Sequence, residues 1–374
     1  MEDVGGGQMD RLLRETVAAA IGAGASDVHI EPQEGGSLVR FRLDGRLRQV
    51  RELEKGLHDA LLLRLKILSN IPVDCGQLPQ DGKWTFDENG KRRDIRVSLV
   101  PFSHGEGAVL RILMGFAVPP SLEELGFDEK TAAELTAAVR GPDGLLLLTG
   151  PTGCGKSTTI HALLTGLNDG SRKIITVEDP VEYAVDGISS VQVNGAHGLS
   201  FADALRSILR QSPNVLFVGE IRDEATAAMA IQAALTGHFV CSTLHCKDAA
   251  GAIPRLLELA VPLYLIRAVL RGVLAQRLVR RLCEHCRQPH GGKLKNLFGK
   301  EGKPFRPVGC KRCGQSGYRG QTAIYEWLPL DSSGSDEDFI GNLPGRAAIS
   351  LRQCAEEKVA SAITSPEEAY AAIG

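Results

Sequence analysis

The chain has 374 residues, of which 43% are hydrophobic and 24% are charged, so it is long enough for two or three packed units. Its formal net charge of −2 gives the whole chain no electrostatic reason to bind nucleic acid and leaves only local basic strips for such contacts. The N-terminal residues lack the features of a signal peptide, and no apolar run approaches the roughly 20 residues needed to cross a bilayer. These features predict a multidomain cytoplasmic protein without a transmembrane segment.

Residues 1–115 alternate helix-like and strand-like patterns, which predict a small α+β domain. The stretch Gly115–Pro120 holds a proline pair beside glycine and predicts a linker, placed at 116–121. The predicted elements of this domain are helices at Arg11–Ile21 and Leu57–Leu68, strands at Leu38–Leu43, Asp94–Val100 and Val109–Leu113, and a hairpin turn at Asp44–Gly45.

Residues 122–282 have short, continuous apolar runs separated by helical stretches. The runs are LLLLT, KIITV, NVLFVG and HFVCST. Such strands predict a mostly parallel sheet covered on both faces, so the fold class is α/β. Residues 283–318, rich in Gly and Lys, predict a small inserted module, and 319–374 a C-terminal helical region with helices at Arg346–Ala360 and from Pro366.

A phosphate-binding loop follows the first of these strands. Its residues fit G-x-x-x-x-G-K-[ST], with a strand before and a helix after. Glycines allow successive N–H groups to face a phosphate, Lys156 can reach the β- and γ-phosphates, and the Ser157 hydroxyl can bind Mg²⁺. The predicted nucleotide-binding residues are Gly150, Pro151, Thr152, Gly153, Cys154, Gly155, Lys156, Ser157 and Thr158.

Acidic residues stand at the ends of two further predicted strands. Glu178 follows IITV and Glu220 follows VLFVG, at the edge where open parallel sheets bind ligands. One such group could hold Mg²⁺ and one could orient the attacking water, although each could also be a solvated carboxylate of a first helical turn. His238 and His245 flank the last strand, and His245 is either a γ-phosphate sensor or an ordinary polar residue.

Four of the nine cysteines form two CxxC pairs separated by 23 residues: Cys283, Cys286, Cys310 and Cys313. Four soft ligands in two tight pairs predict a structural tetrahedral Zn²⁺ site, with no open position for catalysis. Two disulfides and an iron–sulfur cluster are the alternatives. The other five are predicted to be small buried residues: Cys75, Cys154, Cys241, Cys246 and Cys354.

Taken in chain order, these motifs resemble those of the secretion ATPase superfamily, which contains the motors of type II secretion and type IV pilus assembly. The resemblance extends over nearly the whole chain. The first domain matches through ASDVHIEP, RFRLDG, RLKILS, LPQDGK and DIRVSLVP. The second matches through GPTGCGKSTT as Walker A, ITVEDPVEY as aspartate box, LRSILRQSPNVLFVGEIRD as Walker B region and TGHFVCSTLH as histidine box. The cysteine pairs resemble the tetracysteine module of secretion and extension members, which retraction motors generally lack.

The resemblance implies a PAS-like α+β domain, a RecA-like ATPase domain, and ATP, Mg²⁺ and Zn²⁺ as ligands. It makes Glu178 the general base or the residue that orients the attacking water, and Glu220 the Mg²⁺ ligand, although these two assignments could be exchanged. It places a group of arginines near the phosphates or a neighbouring subunit's site, the alternative being surface salt bridges: Arg40, Arg42, Arg206, Arg210 and Arg222. The implied partners are other copies in a hexamer, an inner-membrane platform protein and a membrane docking protein, without sequence-specific nucleic acid.

Some positions depart from the family pattern. Ser212 and Asn214 replace two acidic residues before the Walker B strand, Cys246-Lys247 replaces Thr-Asn, and Cys75-Gly76 replaces an acidic–basic pair. These changes put the usual level of activity in doubt. The rival functions are a DNA-uptake or conjugation motor, and a zinc-ribbon nucleic-acid-binding protein using the basic stretches Arg277–Arg281 and Lys293–Lys303.

Overall fold

The computed structural model describes residues 4–74, 78–88, 90–113, 118–193, 198–291, 304–331, 339 and 343–373. The chain divides into two compact units, Met1–Gly115 and Phe116–Gly374, which are described separately. Part of the predicted linker lies outside the described residues, as do Cys75, Gly76 and Lys293–Lys303. Among the described helices, none has the length and apolar character required to span a membrane.

The first unit is one antiparallel sheet with two helices. The sheet has six strands in the order β3-β2-β1-β6-β5-β4. Its core is formed by apolar residues that alternate along the strands, such as Val28 and Ile30, together with Leu61 and Leu65 of a helix. The elements are α1 (Val4–Ala23), β1 (Asp27–Gln33), β2 (Gly36–Leu43), β3 (Arg46–Glu54), α2 (Lys55–Leu68), β4 (Gln80–Glu88), β5 (Lys91–Phe102) and β6 (Gly105–Ile112).

The two helices and three strands predicted here are confirmed, and so is the turn between β2 and β3. Asp44 and Gly45 both have positive φ, 48° and 79°, as a two-residue hairpin turn requires. Strands β1, β3 and β4 were not predicted. In β3 most residues are exposed, so its sequence lacks the apolar alternation by which half-buried strands are recognised.

The second unit is built on a seven-stranded sheet in the order β15-β12-β7-β11-β10-β8-β9. All neighbouring pairs are parallel except β12 with β15. The strands are β7 (Gly144–Thr149), β8 (Ile174–Glu178), β9 (Ile188–Gln192), β10 (Val215–Val218), β11 (Phe239–Leu244), β12 (Leu270–Leu282) and β15 (Tyr318–Pro329), with a separate pair β13 (Gln288–Pro289) and β14 (Phe305–Arg306).

Helices cover both faces of this sheet, which explains why its strands are continuously apolar. In β7, Leu145 and Leu147 belong to one core while Leu146 and Leu148 belong to the other. The predicted α/β class with a RecA-like sheet is confirmed. The helices are α3 (Leu122–Leu125), α4 (Glu129–Val139), α5 (Lys156–Leu167), α6 (Phe201–Ile208), α7 (Glu224–Leu235), α8 (Ala252–Glu258), α9 (Leu263–Val269), α10 (Leu351–Ala360) and α11 (Pro366–Ile373).

The prediction for the C-terminal region needs correction. Residues 319–329, expected in a helical region, form most of β15 and pair with β12 from Gly272 to Arg280. This strand buries Tyr325 and Trp327 in the core. Its partner precedes it by more than 40 positions, and such distant pairing leaves no short-range signal. Both helices that follow are present, although the first begins at Leu351 and not at Arg346, and Pro366 is the first residue of α11 as predicted.

Candidate active site and metal centre

The phosphate-binding loop connects β7 to α5, with residues 151–153 exposed at its tip. Gly150 has a φ of 147°, and a Cβ there would lie 2.4 Å from the carbonyl oxygen of Gln276. Gly155 has a φ of 88°, and a Cβ there would lie 2.9 Å from the Gln276 amide nitrogen. Both positions therefore require glycine, because backbone conformation and the closeness of β12 each exclude a side chain.

Lys156 is the first residue of α5, and its ammonium group lies inside the loop. Nζ donates to the carbonyl oxygens of Gly150 at 2.8 Å and Pro151 at 3.1 Å. Burial lowers the pKa of Lys156, and the nearby Cys154 thiol and Glu220 carboxylate oppose that shift. A phosphate in the loop would take the place of the two carbonyl partners and supply full negative charge to this cation.

Gln276 on β12 is hydrogen-bonded to the phosphate-binding loop and to α5, and this contact was not predicted from the sequence. Its side-chain Nε2 donates to the carbonyl of Cys154 at 2.7 Å, and its Oε1 accepts from the Thr159 hydroxyl at 2.8 Å. The residue is only 2% exposed. Gln276 stands more than 110 positions from the loop in sequence, so only the β7–β12 pairing reveals its role.

Glu178 ends β8 and is 3% exposed, which distinguishes it from the solvated carboxylate that was the alternative. Its Oε2 lies 3.1 Å from Nε2 of His161, a fully buried residue of α5. Oε1 is buried and has no hydrogen-bond partner among the described residues. The site therefore contains a carboxylate with one oxygen bonded to His161 and the other buried without a hydrogen-bond partner among the described residues.

Glu220 follows β10 and forms the centre of a second polar cluster. It pairs with Arg222, and its Oε2 lies 3.5 Å from Nε2 of His245, which follows β11 and is half exposed. Ser157 lies at the start of α5, beside Lys156. A serine hydroxyl and a carboxylate are oxygen ligands of the kind that Mg²⁺ binds, so this donor set fits the predicted cation. His238 instead contacts the carbonyl of Ala233 at the end of α7.

The order of the sheet brings these residues to one edge. Strands β7, β11, β10 and β8 are consecutive neighbours and parallel, so their carboxyl ends lie together. The loop, His245, Glu220 and Glu178 follow these four strands in that order. This is the edge at which open parallel sheets bind ligands, and its residues can bind a triphosphate and a cation beside a buried carboxylate.

The remaining predicted arginines have local partners in the structure. Arg206 pairs with Asp203 at 2.7 Å on α6, and Arg210 donates to the carbonyl of Arg206 at 2.8 Å. In the first unit Arg40 pairs with Glu31 at 2.5 Å, and Arg42 lies 3.3 Å from Asp27. Each of the four can leave its partner for a phosphate only by breaking these contacts.

The four cysteines of the two CxxC pairs lie close together in the structure. Their sulfur atoms lie within 4.8 Å of one another, and three pairs are separated by 3.7, 3.8 and 3.9 Å. Sulfurs bound tetrahedrally to Zn²⁺ at about 2.3 Å would be about 3.8 Å apart, whereas a disulfide requires about 2.05 Å. The geometry therefore fits a metal and excludes disulfides in this arrangement.

Backbone donors around the cluster favour ionised sulfur. Although burial raises it, the pKa of Cys313 falls to about 6 because the N–H groups of Cys310 and Gly317 donate to its sulfur. Gly309 donates in the same way to Cys286 at 3.3 Å, although burial there outweighs this bond and raises the pKa of Cys286 to about 11. Of the single cysteines, Cys154, Cys241 and Cys354 are buried as predicted, and Cys246 is only partly buried.

A phosphate-binding loop at the carboxyl edge of a parallel sheet, with buried and partly buried glutamates beside it, defines a RecA-like P-loop ATPase. The family described as Type II/IV secretion system protein matches residues 2–370. The chain belongs to that family, and it is an ATP hydrolase of the class that drives secretion and pilus assembly.

Curated relatives support the same assignment. The chain is 43% identical over 371 residues to type II secretion system protein HxcR of Pseudomonas aeruginosa, covering 97% of this chain and 77% of the relative. It is 42% identical over 369 residues to protein E of Dickeya dadantii, covering 96% and 74%. It is 41% identical over 373 residues to ATPase E of Vibrio cholerae, again covering 96% and 74%.

Two solved structures resemble this one over nearly their full length. The pilus retraction motor PilT with bound ADP matches with a TM-score of 0.63 and 26% identity, covering 95% of both chains. The Legionella pneumophila ATPase DotB matches with a TM-score of 0.73 and 21% identity, covering 96% and 94%, which establishes likeness of fold alone.

Proposed function

We propose that this chain works as a homohexameric ring at the cytoplasmic face of an inner membrane. There it couples ATP hydrolysis to the assembly of a pseudopilus or pilus in the direction of export or extension. It would act through an inner-membrane platform protein, with a docking protein as a further partner. The observation that carries the proposal is the alignment of the phosphate-binding loop, Glu220 and Glu178 along one edge of the sheet, in a chain related to type II secretion ATPases.

In this proposal each residue has one role in the reaction. Lys156 holds the β- and γ-phosphates, and Ser157 and Glu220 would hold Mg²⁺, which would supply positive charge to the phosphate oxygens when bound. Glu178 accepts through Oε1 a proton from the water that attacks the γ-phosphorus, and ADP leaves with the bridging oxygen. His245 and Arg222 hold the Glu220 carboxylate in place and sense whether the γ-phosphate is present. Zn²⁺ at the cysteine cluster is structural.

The roles of the two glutamates are separated by comparing ATP binding with hydrolysis. We expect Glu178→Gln to bind ATP as well as the unmodified chain, because the amide has the same shape. It should hydrolyse ATP about 10²–10⁴-fold more slowly, because it cannot accept the proton. Glu220→Gln should instead raise the Mg²⁺ concentration needed for half-maximal turnover. The opposite pattern would exchange the two roles.

The arginines Arg40, Arg42, Arg206 and Arg210 are proposed to act on the site of the neighbouring subunit, where positive charge would meet the charge developing on the phosphate. Arg42→Ala should then lower turnover on the order of 10³-fold, as for arginines supplied in trans. Mixing it with Lys156→Ala should restore part of the activity, since some interfaces pair two intact residues. Turnover per subunit that does not depend on concentration, with no recovery on mixing, would refute the ring.

The contacts made by the basic stretch Arg277–Arg281, beside Cys283, support the proposed motor function over the nucleic-acid-binding alternative. Arg277 donates to the carbonyls of Gln276 and Lys247 next to the phosphate-binding loop. Arg280 pairs with Glu368 and lies over the ring of Tyr318. Two of the arginines that would have bound a polyanion are therefore occupied within the unit.

A further inference from the structure

A buried histidine stands behind the proposed general base. His161 lies on α5 one helical turn after Ser157 and is 0% exposed. Its ring is enclosed by Tyr183, with ring centroids 4.8 Å apart, and by Phe217, at 5.6 Å and nearly perpendicular. Its Nε2 lies 3.1 Å from Oε2 of Glu178. A packed ring of this kind keeps its nitrogen directed at one carboxylate oxygen.

The hydrogen bonds of Glu178 are divided unequally between its two oxygens. Oε2 faces His161 Nε2 and lies 3.5 Å from the N–H of Glu182, whereas Oε1 is buried and has no partner among the described residues. A buried carboxylate oxygen without a donor is unfavourable, and such an atom in a native protein needs an explanation, a catalytic role being one of the recognised ones. The bond to His161 fixes the plane of the carboxylate and so fixes where Oε1 is directed.

The protonation of His161 follows from this arrangement. A carboxylate oxygen accepts, so we assign a proton to Nε2; Nδ1 is buried and has no partner among the described residues. The contact links α5, which begins with Lys156 and Ser157, directly to β8, which ends with Glu178. The side chain that would accept the proton is thereby held in register with the helix that begins at the nucleotide.

We propose that His161 is a positioning residue for ATP hydrolysis: it holds Glu178 so that Oε1 faces the attacking water. This inference rests on the proposed role of Glu178. It predicts that loss of the Nε2–H donor slows the chemical step and leaves ATP binding unchanged. A histidine that served only to fill the core would affect stability, and would affect kcat and KM no more than any other buried residue of α5.

The test measures kcat, KM, ATP affinity and thermal stability for two substitutions and one control. His161→Leu removes the donor, and we expect kcat to fall about 10- to 100-fold with KM and ATP affinity unchanged, as expected when a reacting group is misplaced. His161→Gln carries an amide N–H at a similar reach and should recover a substantial part of kcat. Ile160→Ala, at a fully buried neighbour, is the control for lost packing.

The outcomes separate this inference from the role of Glu178 itself. If Glu178→Gln abolishes hydrolysis but His161→Leu retains full kcat, the positioning role is wrong and the base assignment stands. If Glu178→Gln retains hydrolysis, the base assignment is wrong, and so is the positioning role of His161 that rests on it. If Ile160→Ala lowers kcat as much as His161→Leu, or if His161→Gln recovers nothing, the effect is one of packing, and the inference is overturned.

Discussion

The second unit contains two sites that are built in opposite ways. One is the nucleotide edge, formed by the phosphate-binding loop, His245, Glu220 and Glu178, and the other is the cluster of four cysteines. The nucleotide edge draws side chains from β8, β10 and β12, which are far apart in the chain, and two large apolar cores hold those strands. The cysteine cluster draws four sulfurs from two short turns at the ends of β12 and β15. One site depends on the sheet for its shape, and the other is proposed to depend on its four sulfurs and a bound metal.

This difference in construction predicts which kind of substitution each site tolerates. The nucleotide edge should stay folded when one side chain is removed, because the cores remain. The cluster is expected to lose the proposed metal when one of its four sulfurs is removed. Strand β12 belongs to both, because it supplies Gln276 to the loop and leads through Leu282 into Cys283. The substitutions below ask whether the two sites are independent, in order of their expected effect on ATP turnover.

The largest effect is expected for Lys156→Ala. The loop backbone should persist because its glycines and Gln276 are unchanged, but the cation that meets the phosphates is lost. Removing one such charge-stabilising donor costs about 10²–10³-fold or more in turnover. Steady-state hydrolysis and thermal unfolding measure the two parts of this prediction. Lys130→Ala, at an exposed lysine of α4, is the control and should behave as the unmodified chain.

A smaller loss is expected for Gln276→Leu. The substitution keeps the volume but removes two hydrogen bonds and leaves the Cys154 carbonyl and Thr159 hydroxyl unpaired in the core, which costs about 1–3 kcal/mol for each. The loop should loosen, and kcat/KM for ATP should fall about 10- to 100-fold. Gln321→Leu, at an exposed position of β15, is the control. Equal activity of the two variants would show that β12 does not hold the loop.

A still smaller loss is expected for Tyr183→Phe. The Tyr183 and Thr158 hydroxyls lie 2.9 Å apart, and this bond joins the segment after β8 to α5. Phenylalanine preserves the ring packing on His161, so only the hydrogen bond is lost, at about 1 kcal/mol or about fivefold in kcat/KM. Tyr264→Phe, at an exposed tyrosine, is the control. A loss above a hundredfold would mean that Tyr183 acts on the nucleotide directly.

The smallest effect on turnover is expected for Cys310→Ser, although it should remove the metal. Gln276 and Cys283 are separated by seven residues of strand, about 23 Å. The pairing of β12 with β15 between them is anchored by buried residues such as Tyr325 and Trp327. Turnover should therefore change by no more than about twofold, as for distant sites. Elemental analysis should find one zinc per unmodified chain and none in Cys310→Ser.

The control for this prediction is Lys311→Ala, which changes an exposed residue of the same turn and keeps all four sulfurs. It should retain both zinc and turnover. If Cys310→Ser lost hydrolysis while Lys311→Ala kept it, the cluster and the loop would form one functional unit, coupled through β12. The contrast between the two sites would then be wrong.

By itself the sequence determined the features that are local in the chain. The phosphate-binding loop, the CxxC pairs, the turn at Asp44–Gly45 and the apolar strands around the loop were all predicted. Each depends on residues within a few positions of one another, or on a backbone conformation that only glycine adopts readily. Glu178 and Glu220 became candidates through their places at the ends of such strands, and the family resemblance gave each its predicted role.

Only the tertiary structure decided which distant residues meet. The pairing of β15 with β12, the bonds from Gln276 to the loop and the contact of His161 with Glu178 all join positions separated by 17 or more residues. None has a short-range signal, because a fully buried histidine or glutamine looks like any other polar residue in a helix or strand. The sheet order fixes these contacts: it brings the carboxyl ends of the strands together and places β12 beneath the loop.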